Sequence, residues 1–176
     1  MQILKDAPAS EKLARKAKNT GGVYLVPAFV GLGAPYWDPE ARGAILGLTR
    51  GTQRSHIVRA ALESMAYQSK DLLDAMEKDA KVKLAELRVD GGASANNFLM
   101  EFQADILQCS VDRPKMVETT ALGAAMLAGI GSGFWKDLKT LVKVRKRDKL
   151  FTAKMNEGEA ACHYAGWQNA VKRVRS

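Results

Sequence analysis

The sequence predicts a layered α/β domain with at least part of its sheet parallel. Three times along the chain, a short β-rich apolar stretch leads into a segment whose apolar residues have helical spacing, starting near residues 44, 85 and 110. Strands that alternate with helices are typical of sheets in which a helix crosses over between parallel strands. A length of 176 residues fits about one such domain.

The first elements surround a loop rich in glycine, proline and aromatic residues. Residues 22–29, GVYLVPAF, predict a strand that Pro27 places at a strand end or a sheet edge. Residues 30–44 contain Tyr36 and Trp37 among several glycines and prolines, which indicates a structured loop rather than a linker. Residues 44–49, AILGLT, predict a short second strand.

A long amphipathic helix is predicted over residues 55–78. One face carries Val58, Leu62, Met65, Leu72, Leu73 and Met76. The opposite face carries Arg59, Glu63, Lys70, Asp74 and Glu77. This separation predicts an apolar side against the core and a charged side in solvent.

A glycine pair follows the next predicted strand. Residues 85–92, AELRVDGG, alternate as a strand does, and residues 96–107 place Leu99, Phe102 and Ile106 at helical spacing. Gly91 and Gly92 therefore lie at a strand-to-helix turn.

The third unit begins with SVDRP as a strand, at residues 110–114. TTALGAAMLAGIGSGFW then predicts a helix from residue 119. Its many Ala and Gly residues would allow close packing on both sides, so we expect this helix to be buried. A charged stretch and an amphipathic segment around HYAGWQNAVKRV end the chain.

The net charge of +8 is concentrated at one end of the sequence. Residues 136–176 hold 11 Lys and Arg against 4 Asp and Glu. The cluster KVRKRDK, residues 143–149, lacks the interleaved aromatic residues of a single-strand-binding groove and has no recognition motif beside it. We interpret it as a solvated face and expect no nucleic-acid partner.

Other features of the sequence point to a reduced, cytoplasmic protein. Cys109 and Cys162 have neither CxxC nor metal-ligand spacing, so we expect two packed thiols, no disulfide and no metal site. No stretch approaches the roughly 20 apolar residues of a membrane helix, and the first segment is too charged for a signal peptide.

The glycine turn is the candidate ligand site. Because glycine has no Cβ, a ligand can approach the backbone closely at Gly91 and Gly92, and the following helix start offers free amides to an anion such as phosphate. Ser94 or Asn96 could cap that helix. The pattern matches neither GxxxxGK[ST] nor GxGxxG, so a tight turn without a ligand remains an equal alternative.

Several motifs closely resemble one family. They are FVGLGAPYWDPEARGAILGLTRG, HIVRAALESMAYQ, LRVDGGASANNFLMEFQADIL and ETTALGAAMLAGIGSGFW. Together they resemble the C-terminal part of the FGGY carbohydrate kinases over residues 19–173, and residues 43–63 resemble the second signature of that family. GLGAPYWD and RVDGGASANNF are most similar to the glycerol-phosphorylating branch.

This resemblance implies an actin-like, ribonuclease-H-like ATPase fold with a mixed sheet flanked by helices. ATP and the polyol would bind between two domains. The glycine turn would belong to the adenosine-binding motif, with Gly91 and Gly92 approaching ATP or ADP, Ala93 packing beside it, and Asn96 near the adenine. Tyr36 and Trp37 lie in a loop that the family places near the cleft, although plugging the base of that loop is an equal alternative.

The resemblance also implies what these residues lack. In the family, the catalytic aspartate, the glycerol contacts and the groups around Mg²⁺ lie upstream, so we expect no catalytic residue and no Mg²⁺ ligand here. We therefore expect a lead-in at residues 1–18 and an incomplete second domain at residues 19–176, without its first strands or the N-terminal domain. The bare sheet edge would favour a homo-oligomer.

Three alternatives to the glycerol-specific hypothesis remain open. One is another polyol or sugar kinase of the same family. The second is a stand-alone interaction module, and the third is a nucleic-acid-binding module; both of these would use the basic tail.

Overall fold

The computed structural model describes residues 4–142 and 145–176. Its helices are α1 (Ala9–Ala14), α2 (Arg54–Ala80), α3 (Asn97–Leu107), α4 (Thr119–Gly131), α5 (Leu138–Val142) and α6 (Glu157–Val174). Its strands are β1 (Tyr24–Val26), β2 (Ala44–Leu46), β3 (Glu86–Arg88), β4 (Ser110–Pro114) and β5 (Arg147–Phe151). A short 3₁₀ helix at Gly92–Ala95 lies between β3 and α3.

The strands form two sheets. β1 and β2 are an antiparallel pair, and a second sheet has the order β3-β4-β5. In that sheet β3 and β4 run parallel, with Leu87 opposite Val111, whereas β4 and β5 run antiparallel. The predicted mixed α/β architecture is therefore confirmed, and α3 is the crossover helix between the two parallel strands.

Helix α2 occupies the predicted region but turns a different face to the core. Val58 and Leu62 are buried as expected, whereas Met76 is 56% exposed. Glu63, which the sequence placed in solvent, is buried because its carboxylate pairs with the Arg59 guanidinium at 2.7 Å. Burial raises the pKa of Glu63, although the Arg59 charge opposes that shift. The prediction of a fully apolar buried stripe was wrong.

Aromatic residues from three helices form the centre of the core. Tyr67 of α2 stacks on Trp167 of α6 with ring centroids 5.4 Å apart, and Phe102 of α3 meets the Tyr67 ring edge-on at the same distance. Trp167 is fully buried, and its indole Nε1 donates to the Asp71 carboxylate at 2.8 Å. Leu99, Phe102 and Ile106 are buried as predicted.

Helix α4 is not buried, which corrects the prediction from its small residues. None of its residues is buried, and Leu127 is largely exposed. A helix rich in Ala and Gly can pack closely only where another element lies against it. The described part of the chain supplies no such cover for α4.

Part of the basic segment, residues 143–149, is paired in the second sheet. Lys143 and Val144 lie outside the described residues, but the remainder of the predicted cluster leads into and forms part of β5, which pairs with β4. Residues 146–149 are exposed, as the interpretation of a solvated face expects. In addition, Arg145 and Arg147 bind the buried carboxylate of Asp112 in β4, which the sequence did not predict.

The cysteines and the N-terminal residues also refine the sequence predictions. Both cysteines are free as expected, but only Cys109 is partly buried, and Cys162 is exposed rather than packed. Helix α1 lies against α2 and α3, where Arg15 pairs with Glu101 at 2.9 Å. The predicted lead-in therefore contacts the domain.

Candidate functional site

The glycine turn joins the end of β3 to the start of α3, as the sequence predicted. Gly91 has φ 75° and ψ 172°, a conformation essentially restricted to glycine. The Gly91 N–H donates to the Val117 carbonyl at 2.8 Å, and the Gly91 carbonyl accepts from both the N–H and the hydroxyl of Ser94. The turn is thus fixed from both sides of Gly91.

Gly92 and Ala93 form the exposed surface of this turn. A Cβ built on Gly92 would have no heavy atom within 4 Å, and the φ of Gly92 is outside the left-handed range. Within residues 4–142 and 145–176, the backbone N–H groups of Gly92 and Ala93 donate to no acceptor. Two unpaired amides beside open space can approach an external acceptor directly.

Asn96 is the cap of α3, which settles the choice between Ser94 and Asn96. Its side-chain oxygen accepts from the Leu99 N–H at 3.0 Å, and its amide nitrogen donates to the Ser10 hydroxyl at 3.2 Å. Ser94 is buried instead and closes the 3₁₀ turn. One N–H of the Asn96 amide is left for another partner.

Asp90 connects the turn to α4. Its carboxylate accepts a hydrogen bond from the hydroxyl of Thr119, the first residue of α4. Together with the contact between Gly91 and Val117, this bond places the start of α4 beside the turn.

Arg113 of β4 contacts the turn from the other side. Its guanidinium Nη1 donates to the carbonyls of Ser94 at 2.8 Å and Ala95 at 3.3 Å. The same guanidinium pairs with Asp148 of β5 at 2.8 Å, and only 11% of the Arg113 side chain is exposed. Sequence reasoning missed Arg113, because one arginine in a strand gives no signal of which carbonyls it will meet.

Asp112 connects β4 to the basic segment. The carboxylate has no exposed surface and accepts from Arg145 at 2.6 Å and from Arg147 at 2.9 Å. Burial acts to raise the pKa of Asp112, but the two guanidinium groups outweigh it and hold that pKa below its ordinary value. The pairs fix β5 on β4, with Asp148 beside Arg113.

Tyr36 and Trp37 are adjacent in one loop but differ in exposure to solvent. Tyr36 packs against the core, and burial together with the Asp71 charge raises the pKa of its phenol. Trp37 is 76% exposed and has φ 50°. Asp38 holds the loop by accepting from the N–H and the hydroxyl of Ser176 at 2.9 and 3.0 Å. Tyr36 therefore plugs the loop, and Trp37 does not.

The described residues hold neither a metal cluster nor a membrane span. No group of three or more His, Cys, Asp or Glu side chains in residues 4–142 and 145–176 is arranged to hold a metal ion. Over the same ranges, no helix combines the length and apolar character required to cross a membrane.

A strand-to-helix glycine turn on a mixed sheet flanked by helices places the chain among the layered α/β domains, in which such turns can receive a ligand. Residues 3–132 match the C-terminal domain of the FGGY family of carbohydrate kinases, and the chain belongs to that family. The fold is accordingly the actin-like, ribonuclease-H-like fold of these kinases.

The curated relatives with high sequence identity to this chain are glycerol kinases. The chain is 58% identical over all 176 residues to the glycerol kinase of Petrotoga mobilis and 60% identical over 174 residues to that of Shewanella baltica. It spans 35% of the length of each of these relatives.

Solved structures agree with this placement. The crystal structure of Plasmodium falciparum glycerol kinase with ADP superposes with a TM-score of 0.88 at 38% identity, covering 98% of this chain and 34% of that one. A ligand-bound xylulose kinase from Lactobacillus acidophilus has a TM-score of 0.74 at 24% identity, covering 98% of this chain and 35% of that one. At that identity the second similarity shows the fold alone.

Proposed function

We propose that this chain is the nucleotide-binding C-terminal part of a glycerol kinase, an enzyme that transfers the γ-phosphoryl group of ATP to glycerol. The observation that carries the proposal is the exposed glycine turn. It lies in a chain whose 176 residues are 58% identical to part of a glycerol kinase. The similarity to a glycerol kinase solved with ADP supports the same nucleotide.

The turn suits a nucleotide through its backbone. Gly92 offers an unhindered surface, and its N–H and that of Ala93 are unpaired among the described residues. Gly91 sets the backbone direction, and the remaining N–H of Asn96 is the proposed donor to the adenine. Asn96 is already fixed by Leu99 and Ser10, so its amide needs little further ordering on binding.

The remaining chemistry belongs to other residues of a longer enzyme. Phosphoryl transfer requires Mg²⁺, groups that clamp the phosphates and a base for the attacking hydroxyl. This chain spans 35% of the length of the glycerol kinase from Petrotoga mobilis. We assign the Mg²⁺ site, the base and the glycerol contacts to the rest of that length, and we expect no turnover by these 176 residues alone.

The test is Gly92→Val in a full-length enzyme that contains this chain. A Cβ at Gly92 would have no heavy atom within 4 Å, so the isopropyl group would extend into the open space in front of the turn. We expect the KM for ATP to rise about tenfold, equivalent to about 1.4 kcal/mol of binding, while the KM for glycerol changes less than about twofold. Coupled kinetics at varied ATP and varied glycerol would measure both.

Gly131→Val is the matched surface control, because a Cβ at Gly131 also meets nothing within 4 Å and the φ of Gly131 is likewise outside the left-handed range, but Gly131 is the last residue of α4. A folded Gly92→Val enzyme with an unchanged KM for ATP would show that the turn is only structural.

We also propose that the protein forms a homo-oligomer and is located in the cytoplasm. We propose that its domain begins at residue 19. β3 pairs only with β4 among the described strands, and α4 has no buried residue, which leaves an edge and a helix face for a second copy. Helix α1 belongs to the lead-in of residues 1–18 and contacts α3, so we propose that the described part of the lead-in packs on the domain that begins at residue 19. Light scattering of the purified chain tests the oligomer, and a monomer at all concentrations would exclude it.

A further inference from the structure

We propose that Arg113 is a positioning residue for nucleotide binding, acting through the carbonyls of the 3₁₀ turn and held in place by Asp148. This inference rests on the proposed function, because it concerns how the same turn is kept in its binding shape. It assigns a role to the basic segment that the sequence left without one.

One nitrogen of the Arg113 guanidinium bonds to two adjacent carbonyls of the turn. Arg113 Nη1 donates to the carbonyls of Ser94 and Ala95 at 2.8 and 3.3 Å. These carbonyls face away from the unpaired amides of Gly92 and Ala93 along the same one-turn helix. Charge-assisted hydrogen bonds from one guanidinium to both carbonyls hold the peptide groups of the turn in one orientation.

Arg113 is itself held by two side chains, Asp148 and Phe151. Its Nε and Nη2 pair with Asp148 at 2.9 and 2.8 Å, and its guanidinium lies 5.1 Å from the centroid of the Phe151 ring. Both partners belong to β5, which is anchored to β4 through the buried Asp112. The turn is therefore coupled to β5 by one side chain.

An alternative is that Arg113 only stabilises the sheet. That role predicts a lower melting temperature with no local effect at the turn. The positioning role predicts faster opening of the hydrogen bonds within the turn, where the Ser94 N–H donates to Gly91 and the Asn96 N–H donates to Ala93. The two roles are therefore distinguishable.

The first measurement is amide hydrogen exchange of the chain. For Arg113→Met, which keeps the apolar stem, we expect exchange at Ser94 and Asn96 to accelerate at least about fivefold relative to the amides of α6. Asp148→Asn removes the partner of Arg113 at an exposed side chain, and it should produce a smaller change in the same direction. This second variant keeps the proposal testable if the Arg113 variant does not fold. Lys149→Met is the matched control, since Lys149 lies over the same Phe151 ring at 4.6 Å and makes no described bond to the turn. Unchanged exchange at Ser94 and Asn96 in both test variants would overturn the proposal.

The second measurement is kinetic, in a full-length enzyme that contains this chain. We expect Arg113→Met to raise the KM for ATP about fivefold with kcat and the KM for glycerol within about twofold, and Arg113→Lys to restore part of the loss because one donor remains. If Gly92→Val raises the KM for ATP and Arg113→Met does not, the positioning role is wrong and the proposed function stands. If neither variant changes it, the proposed function fails as well.

Discussion

The two adjacent glycines of the turn should respond to alanine in opposite directions. Gly91 has φ 75° and ψ 172°, a region nearly closed to residues with a Cβ, so Gly91→Ala should cost about 2 kcal/mol within the 1–3 kcal/mol range of such strain. Gly92 has an ordinary φ and open space where a Cβ would lie. Gly92→Ala should therefore be neutral or stabilise the fold by about 0.5 kcal/mol, through the lower entropy of its unfolded chain.

Urea unfolding of both variants, followed by tryptophan fluorescence, is the assay. For a chain of 176 residues, about 2 kcal/mol corresponds to a melting temperature lower by roughly 4–8 °C, which thermal unfolding can check independently. The two positions share one turn and one substitution. Equal stabilities of the two alanine variants would refute the reasoning from backbone geometry, and so would a larger loss at Gly92.

Two buried carboxylates should give opposite pH dependences. The pKa of Asp112 is lowered, so the stabilisation from its carboxylate is present above about pH 4 and is lost as pH falls through its folded pKa. In urea titrations, the stability advantage of wild type over Asp112→Asn should shrink from pH 5 to pH 2.5. A constant advantage would contradict this. Burial raises the pKa of Asp71 despite hydrogen bonds from Tyr164 and Trp167, so its contribution is present below about pH 4 and is lost as pH rises through its folded pKa. The advantage of wild type over Asp71→Asn should therefore fall between pH 4 and pH 7, and an increase over that range would show that the carboxylate is stabilised as an anion.

Local sequence patterns predicted the strand, turn and helix of the site well. The strand before the glycines, the capping Asn96 and the apolar side of α3 depend on residues within a few positions of one another. Helical spacing and capping preferences act over that range. The same locality explains why β4 was predicted with its observed bounds.

Contacts between distant residues explain what the sequence could not predict. β5 is charged at most positions and becomes a strand because Asp112 accepts two of its neighbouring guanidinium groups. Glu63 is buried beside its partner Arg59 because Phe98 of the distant helix α3 covers the Arg59 guanidinium, with its ring centroid 4.9 Å away. Pairing across tens of residues leaves no periodicity in the sequence.

The nucleotide roles of Gly91, Gly92, Ala93 and Asn96 stay predictions. The turn itself could be inferred from glycine chemistry, whereas a ligand role depends on which backbone groups remain unpaired after folding. Only the folded arrangement of Val117, Ser94 and Arg113 around the turn determines that.

A titration of the isotope-labelled chain with ADP, followed by backbone amide NMR shifts, tests the nucleotide site most directly. We expect the largest shifts at the amides of Gly92 and Ala93 and at the side-chain amide of Asn96, with α6 unmoved. In the same titration of Gly92→Val, the shifts at Ala93 and Asn96 should need about tenfold more ADP, while the remaining spectrum stays that of the folded chain. Saturable shifts centred elsewhere, or no shifts at millimolar ADP in a folded sample, would contradict the assignment of the nucleotide to this turn.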